Sequence, residues 1–252
     1  MIRIKSLREI EKMRQAGRIA AAARQLAGKM AVPGATTQEI NRAVESFIRS
    51  KHAYPTFLHY NNYPASVCVS INDVVIHGIP DEAMIIEDGD LVSIDVGATY
   101  DGFVGDCAAT FIAGRAANDV DEKLLAVTRQ SFYEGIKYAR PGYRISDISH
   151  AIQEYVEGNG FSVIRDYVGH GVGAVMHEEP EVPNFGQPGH GPRILRGMTL
   201  AVEPMVSAGS WHVATLSDGW TVVTQDGSMA AHYENSILIT DGEPEILTVP
   251  EV

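Results

Sequence analysis

Apolar residues recur at the three-to-four-residue spacing of a helix in two pairs of segments along this chain. Residues 7–30 carry the first stripe, behind a capping-box pattern formed by Ser6 and Glu9. A second stripe follows Thr36 and has the spacing of one buried helix face: Ile40, Ala43, Val44, Phe47 and Ile48. The pattern therefore predicts two helices ahead of the first strands.

The same order returns in the second half of the chain. A Pro-Gly pair precedes each second helix, at Pro33 and again at Pro141, and an apolar segment predicted to be helical over about 121–140 comes before the later pair. The second stripe recurs as Ile148, Ala151, Ile152, Tyr155 and Val156. We therefore predict two structural repeats, of about 1–117 and 118–252.

Strand-like runs follow each pair of predicted helices. They cover 66–71, 74–77, 91–112, 161–168, 199–206, 219–224 and 231–240. Because short turns join them and few residues remain for crossover helices, we predict an α+β fold: a curved, mostly antiparallel sheet with helices on one face. Residues 179–193, rich in proline and glycine, are predicted to be a loop. The whole chain, 1–252, is expected to form one catalytic domain with its site between the halves.

The stretch 91–111, LVSIDVGATYDGFVGDCAATF, predicts a hairpin with one aspartate on each arm, Asp95 and Asp106. A turn centred on Tyr100 and Asp101 would set the two aspartates directly opposite each other. A turn centred one residue later would set them diagonally, still on one face. In either case two carboxylates share apolar surroundings, and they need a cation or a proton.

Composition narrows the classes of protein that fit. The chain of 252 residues has a formal net charge of -12, from 20 basic and 32 acidic residues, which argues against a broad nucleic-acid surface. Its two cysteines, Cys68 and Cys107, form no CxxC pair and suit a reducing compartment. No segment has the apolar length of a membrane span or the apolar core of a signal peptide. We expect a cytoplasmic protein that binds neither membranes nor a specific nucleic-acid sequence.

Five potential ligands lie in apolar surroundings, where a charged group is rarely buried unless it is paired or bound to metal. They are Asp95, Asp106, His170, Glu203 and Glu234. Such a mostly oxygen-donor set suits two divalent ions bridged by carboxylates and a water. A zinc site of the HExxH kind is disfavoured, because His170 and His177 are too far apart in sequence. The loose GxGxxG match at 169–174 leads into proline-rich sequence and not into a helix, which disfavours dinucleotide binding.

A series of short motifs then identifies a family. In order they are Ser66-Val67-Cys68, Asn72-Asp73, His77-Gly78-Ile79-Pro80, Ile94-Asp95-Val96-Gly97, Asp101-Gly102, Gly105-Asp106, Gly169-His170-Gly171-Val172-Gly173, His177-Glu178-Glu179-Pro180, Glu203-Pro204 and Asp218-Gly219-Trp220. Together they resemble the type I methionine aminopeptidases across nearly the whole chain. The resemblance implies the pita-bread fold, in which two pseudo-symmetric α/β halves surround a dinuclear metal site. The absence of a long insertion between His177, Glu203 and Glu234 favours type I over type II.

The resemblance also implies roles for individual residues. The ligands of two divalent ions, Co, Mn, Fe or Zn, would be Asp95, Asp106, His170, Glu203 and Glu234, with Asp106 and Glu234 bridging. The pocket for the methionine side chain would be lined by Phe57, Tyr60, Tyr63, Cys68, Met176 and Trp220. His77 and His177 would contact the substrate. Two positions depart from the family pattern: His232, where many relatives have glutamine, and Met176, where an aromatic residue is common.

The implied activity is removal of the N-terminal methionine from nascent proteins whose second residue is small. We expect a metal-bridged hydroxide to attack the first peptide bond while Glu203 relays a proton as general base and then acid. His177 would donate a hydrogen bond to the oxyanion, and His77 would contact the scissile amide. The expected partner is the N-terminal peptide of a nascent chain, with transient ribosome association, and the expected state is a monomer.

Two other functions remain open at this point. A proline-specific peptidase of the same fold, such as an aminopeptidase P or a prolidase, would usually carry a large extra N-terminal domain, which is not expected here. A non-catalytic binding module of this fold, on ribosomes for example, would typically have lost metal ligands, whereas all five positions are filled.

Overall fold

The computed structural model describes residues 1–250, so residues 251 and 252 of the predicted domain 1–252 lie outside the described part. The helices in this part are α1 (Leu7–Met30), α2 (Thr37–Ser50), α3 (Asp119–Ile136) and α4 (Ile145–Gly158), with a short 3-10 turn at Tyr60–Asn62. The strands are β1 (Tyr54–Pro55), β2 (Cys68–Ile71), β3 (Val74–Ile76), β4 (Leu91–Tyr100), β5 (Phe103–Ile112), β6 (Ser162–Val163), β7 (Gly169–Gly171), β8 (Glu178–Val182), β9 (Thr199–Val202), β10 (Met205–Ser207), β11 (Val213–Thr215), β12 (Val222–Thr224), β13 (Ala230–His232), β14 (Asn235–Leu238) and β15 (Glu245–Ile246).

The helices begin where the capping patterns predict. The hydroxyl of Ser6 accepts the N–H of Glu9, whose carboxylate accepts the N–H of Ser6 at 2.7 Å. Thr36 and Glu39 make the same reciprocal pair at the start of α2. Helix α3 ends at Ile136, before the predicted residue 140, where Tyr138 and Ala139 donate to carbonyls three residues back in the chain in place of the four of an α-helix.

Antiparallel pairing joins every strand of the described residues to its neighbours. The four groups have the orders β1-β4-β2 with β5 on β4, β13-β10-β6, β11-β12-β3, and β15-β14-β9-β7-β8. Helix α1 packs against β4 and β5, and α3 packs against α4 and β13. The α+β class predicted from the sequence is therefore confirmed. The division into repeats at residue 117 stays a prediction, although two helices followed by strands do occur twice.

The β4–β5 hairpin turns at Asp101 and Gly102, which both have positive φ, at 47° and 79°. This is the backbone of a tight two-residue hairpin turn. Tyr100 pairs with Phe103, so Asp106 lies opposite Gly97 and not opposite Asp95. Of the two registers open from the sequence, the diagonal one is therefore correct.

Several predicted strands are interrupted or shortened; the runs 66–71 and 219–224, for example, begin only at Cys68 in β2 and at Val222 in β12. The run 199–206 divides into β9 and β10 at Glu203 and Pro204, where proline lacks the N–H that a ladder needs. The run 231–240 divides into β13 and β14 at Tyr233 and Glu234. The run 161–168 keeps only the two residues of β6.

The loop prediction for 179–193 is wrong at its beginning. Residues 178–182 form β8, which pairs with β7. Proline is tolerated there because β8 is the last strand of its sheet, so Pro180 needs no ladder donor on its open side. Within the described residues, no helix has the length and apolar character required to cross a lipid bilayer.

Candidate metal centre

The site residues that the sequence predicted line one cavity of about 240 Å³. Its walls are Phe57, Tyr60, Asn61, Tyr63, Cys68, His77, Asp95, Asp106, His170, Met176, His177, Glu203, Trp220 and Glu234. Every residue named in advance as metal ligand, catalytic group or pocket wall is in this set. Their shared location is observed, whereas their individual roles stay predictions.

Different elements present the five candidate ligands. Asp95 and Asp106 project from β4 and β5, on the shared face that the hairpin register creates. His170 lies in the middle of β7. Glu203 and Glu234 occupy the two breaks in the sheets, between β9 and β10 and between β13 and β14. The interruptions therefore coincide with two of the acids, where regular side-chain alternation no longer fixes the direction of the carboxylate.

The imidazole of His170 stands between two of the acids. Its Nε2 lies 3.7 Å from Oδ2 of Asp106 and 3.5 Å from Oε1 of Glu203. Its Nδ1 is 2.9 Å from the carbonyl oxygen of Gly171. Because a carbonyl can only accept, the ring hydrogen belongs on Nδ1, and the Nε2 lone pair is directed at the carboxylates. This is the tautomer that a metal ligand requires.

Burial governs the electrostatics of this cluster. It raises the pKa of Asp95 to about 7 and holds the pKa values of Asp106, Glu203 and Glu234 well above the ordinary value, with neighbouring carboxylates adding to the effect on the last three. Burial also lowers the pKa of His170 to about 4, so that ring is neutral. Ionising all four acids together requires compensating positive charge.

The donor atoms fit divalent metal ions. Ligand atoms of Asp106, His170 and Glu234 all lie within 4.8 Å of one another. Oδ1 of Asp95, Oδ1 of Asp106 and Oε1 of Glu234 are buried without a hydrogen-bond partner. Unpartnered buried carboxylate oxygens are costly, and ligation by a cation would satisfy them. Four carboxylates and one imidazole suit manganese, iron, cobalt or zinc.

One arginine that sequence reasoning missed, Arg24, supports the cluster through hydrogen bonds to the backbone. Nη1 of Arg24 donates to the carbonyl oxygens of Ala108 and Glu234, at 3.2 and 3.0 Å, and to the side chain of Asn235. It thereby ties together the strands that carry two of the acids, and its charge opposes the effect of burial on the pKa of Asp95. The available signal was an arginine beside the alanine-rich buried stripe of α1.

Part of the cavity lining is apolar. Phe57, Tyr63, Cys68 and Met176 are buried there in one hydrophobic cluster, and Trp220 packs edge-on against Tyr63 at 5.1 Å. This combination of acidic and apolar lining residues suits a short apolar chain that carries a polar group at one end.

Asn61 is the one wall residue that sequence reasoning did not name. It has a positive φ of 48°, as do His59 and Asn62 at 67° and 69°. Asparagine adopts this backbone region more readily than most residues, so the Asn-Asn pair was the available signal.

Two further histidines face the cavity. Nδ1 of His177 is 2.7 Å from the hydroxyl of Tyr60, and its ring lies 4.2 Å from the ring of His170. His77 packs edge-on against Trp220, at 6.0 Å between ring centroids, and burial lowers its pKa to about 4. Both rings are neutral near pH 7, since burial also lowers the pKa of His177.

His232, the first departure from the family pattern, lies beside Glu203. Its Nε2 is buried without a hydrogen-bond partner and lies 3.8 Å from Oε2 of Glu203. Burial lowers its pKa to about 3, so it adds no charge to the site. The Glu203 carboxylate is therefore flanked by two neutral imidazoles, His170 and His232.

Comparisons with known proteins agree on one family. The sequence profile of metallopeptidase family M24 matches residues 11–241. A methionine aminopeptidase of Clostridium acetobutylicum is 52% identical over 251 residues, covering all of both chains. Methionine aminopeptidase 1 of Bacillus subtilis is 50% identical over 98% of this chain and 99% of its own.

Solved structures extend the comparison to the fold. The crystal structure of methionine aminopeptidase from Thermotoga maritima matches with a TM-score of 0.97 and 48% identity over the whole of both chains. Prolidase from Pyrococcus furiosus matches with a TM-score of 0.79 at 22% identity, covering 99% of this chain and 66% of its own, a likeness of fold alone. The pita-bread fold that the resemblance implied is thereby confirmed.

Proposed function

This chain belongs to metallopeptidase family M24, among the type I methionine aminopeptidases, and we propose that its cavity hydrolyses the first peptide bond of polypeptides that begin with methionine. It is a hydrolase that depends on divalent metal ions. The observation that carries the proposal is the joining, in one cavity, of a cluster of four buried acids with His170 and an apolar pocket.

Asp95, Asp106, His170, Glu203 and Glu234 would hold two ions, with Asp106 and Glu234 shared between them. Bound there, the ions would lower the pKa of water and supply a nucleophile at neutral pH. The unpartnered oxygens of Asp95, Asp106 and Glu234 support this assignment.

Glu203 is proposed to move the proton. Its carboxylate retains access to the cavity, with 13% of the side chain exposed, and burial raises its pKa. A carboxyl group with a raised pKa can take a proton from the attacking water and pass it to the leaving amine nitrogen. His170 and His232, on either side, are neutral and so form no ion pair with the Glu203 carboxylate.

His177 is proposed to stabilise the oxyanion. Burial raises the pKa of Tyr60, so its phenol keeps its hydrogen and can donate it to Nδ1 of His177. The hydrogen of the imidazole then resides on Nε2, free to donate to the carbonyl oxygen of the substrate. Donors of this kind contribute about 10²- to 10³-fold to rate.

The residues that line the cavity would select the substrate. The pocket formed by Phe57, Tyr60, Tyr63, Cys68, Met176 and Trp220 would accept the unbranched, polarisable methionine side chain. We propose that His77 contacts the scissile amide. The ring of His77 packs edge-on against the ring of Tyr167, at 5.8 Å between ring centroids. This crowding would admit only substrates whose second residue is small.

We also propose where the reaction takes place and on which polypeptides. The substrates would be nascent polypeptides in the cytoplasm, reached during transient association with ribosomes by a monomeric enzyme. The two free cysteines, Cys68 and Cys107, suit a reducing compartment.

The decisive experiment measures turnover of short peptides by metal-free protein as Mn, Fe, Co or Zn is added back. Met-Ala-Ser should be cleaved once about two equivalents of an active metal are bound, and Met-Lys-Ser should be cleaved hardly at all. Preferential cleavage of Xaa-Pro peptides would favour the proline-specific alternative. Protein that binds no metal and cleaves neither class would fit the non-catalytic module.

A further inference from the structure

A buried ion pair joins the N-terminal segment to the loop that carries His177. Nζ of Lys5 lies 2.5 Å from Oε2 of Glu178, and the two side chains are only 3% and 5% exposed. By contrast, the side chains of Arg14 and Glu245, which pair between α1 and β15, are each about a third exposed. The Lys5–Glu178 pair is thus shielded from water, and each partner depends on the other for neutralisation.

Glu178 uses both of its oxygens on this loop. While Oε2 accepts from Lys5, Oε1 accepts the backbone N–H of Ala174 at 2.9 Å. The carboxylate therefore closes the loop between β7 and β8, whose exposed residues include Ala174, Val175 and His177.

The space around the pair is closely filled. A Cβ on Gly173 would stand 2.5 Å from Oε1 of Glu178 and 2.5 Å from Cε of Lys5. The base of the loop is also tied down, since the carbonyl of Gly173 accepts the N–H of Val104 at 2.8 Å. Lys5 is fixed in turn, with its own N–H donating to the carbonyl of Gly197. The ammonium group is therefore held at one point against the loop.

We propose that Lys5 and Glu178 act as a strut that positions His177 for the reaction. Lys5 is then a positioning residue, acting through Glu178 on the loop that presents Met176 and His177 to the cavity. The proposal rests on the proposed aminopeptidase function, and it extends the working site to the segment ahead of α1.

The first test compares Lys5→Met with the wild type and with Arg14→Met, which removes an ion pair whose residues do not line the cavity. Assays with Met-Ala-Ser are run well below the midpoint of thermal unfolding, with active metal present. Lys5→Met should lower kcat about 10- to 100-fold, as small displacements of a catalytic group do, with KM within about threefold. Arg14→Met should keep kcat within about twofold of wild type. Unchanged kcat in folded Lys5→Met would overturn the proposal.

A double variant separates positioning from stability. Lys5→Met combined with Glu178→Met leaves no lone buried charge, so its thermal midpoint should recover toward wild type even where Lys5→Met alone folds poorly. Because the strut is still absent, kcat should stay low. Recovery of kcat together with the thermal midpoint would show a purely structural pair and overturn the proposal.

The last test asks whether Lys5 acts through His177. In a His177→Ala background, Lys5→Met should lower kcat by less than about twofold, because the group it positions is already gone. A full multiplicative loss in that background would contradict the strut. Failure of the proposed function is distinguishable, because wild-type protein would then not cleave Met-Ala-Ser with any metal.

Discussion

At the scale of single residues, the chemistry depends on acids held where isolated carboxylates are unfavourable. Buried oxygens on Asp95, Asp106 and Glu234 have no hydrogen-bond donor, whereas Glu203 keeps access to the cavity. We propose that the first three hold cations, and that Glu203 both holds a cation and exchanges protons. A neutral imidazole between Asp106 and Glu203 completes the division of roles, because it offers a lone pair without adding charge.

We expect Glu203→Gln to lower kcat on Met-Ala-Ser by about 10²- to 10⁴-fold, since an amide cannot relay the proton. The thermal midpoint of the metal-free protein should stay equal or rise, because one crowded acid is removed. Steady-state kinetics and thermal unfolding measure the two effects. Glu243→Gln, at an exposed site, is the matched control, and wild-type turnover by Glu203→Gln would refute the assigned role.

Met176→Ala should weaken recognition of methionine. The side chain is 7% exposed and packs with the walls of the apolar pocket, so truncation removes contact area for the substrate. We expect kcat/KM on Met-Ala-Ser to fall about tenfold or more, mainly through KM. Met84→Ala, at a residue that is 51% exposed, should leave both constants unchanged. An unaltered KM for Met176→Ala would contradict the proposal that Met176 contacts the methionine side chain of the substrate.

At the scale of elements, the site depends on how closely α1 approaches the hairpin. A Cβ on Gly105 would lie 2.4 Å from the backbone nitrogen of Gly17. Gly105 directly precedes Asp106, so the contact that seats α1 on β5 also fixes one of the acids. Arg24, two turns further along α1, reaches the carbonyls beside the second bridging candidate, Glu234. Helix α1 is therefore part of the support of the site.

Gly105→Ala should force α1 and β5 apart. We expect a loss of about 1–3 kcal/mol in the free energy of unfolding, typical of overpacking, together with weaker metal binding because Asp106 moves. Denaturant unfolding and calorimetric metal titration measure the two. Gly158→Ala, at the end of α4 where a Cβ meets no atom within 4 Å, should be neutral or stabilising. Equal stability of Gly105→Ala and wild type would contradict the close packing.

At the scale of the whole molecule, four acids and four histidines make folding depend on pH and metal. Above about pH 7.5 the histidines are neutral in the folded chain and about nine-tenths neutral in the unfolded chain, so they contribute little to the pH dependence. Carboxyls whose pKa values are raised well above normal still bind protons in the folded metal-free protein, whereas the unfolded chain has lost them. Because the folded state then binds more protons, stability must fall as pH rises.

The metal-free protein should therefore lose stability between about pH 7.5 and pH 8.5, by about 1.4 kcal/mol per pH unit for each carboxyl that stays protonated when folded. Saturating manganese should reduce the loss, because the ions favour the charged carboxylates; the part that remains belongs to the buried thiols of Cys68 and Cys107, whose pKa values burial also raises. Thermal unfolding in chelator and in manganese, at both pH values, measures the difference. A midpoint in chelator that is flat or rises with pH would contradict the raised pKa values of Asp106, Glu203 and Glu234.

The sequence by itself determined the features that local physical chemistry controls. A capping box marked the start of α1, Thr36 marked the start of α2, an Asp-Gly turn marked the hairpin, and helical spacing marked the buried stripes. Charged residues in apolar runs singled out the acids, because a lone charge there is unfavourable without a partner. The family resemblance supplied the remaining pocket residues, and all of them line the same cavity.

Tertiary structure decided what depends on partners distant in the chain. The hairpin register, the breaks at Glu203 and Glu234, and strand β8 follow from pairing with other strands, which no local pattern specifies. Arg24 and Lys5 looked like ordinary basic residues until folding set Arg24 against the backbone carbonyls of Ala108 and Glu234 and Lys5 against the carboxylate of Glu178. The effect of a buried charge depends on the group that neutralises it, and the two come into contact only when the elements pack.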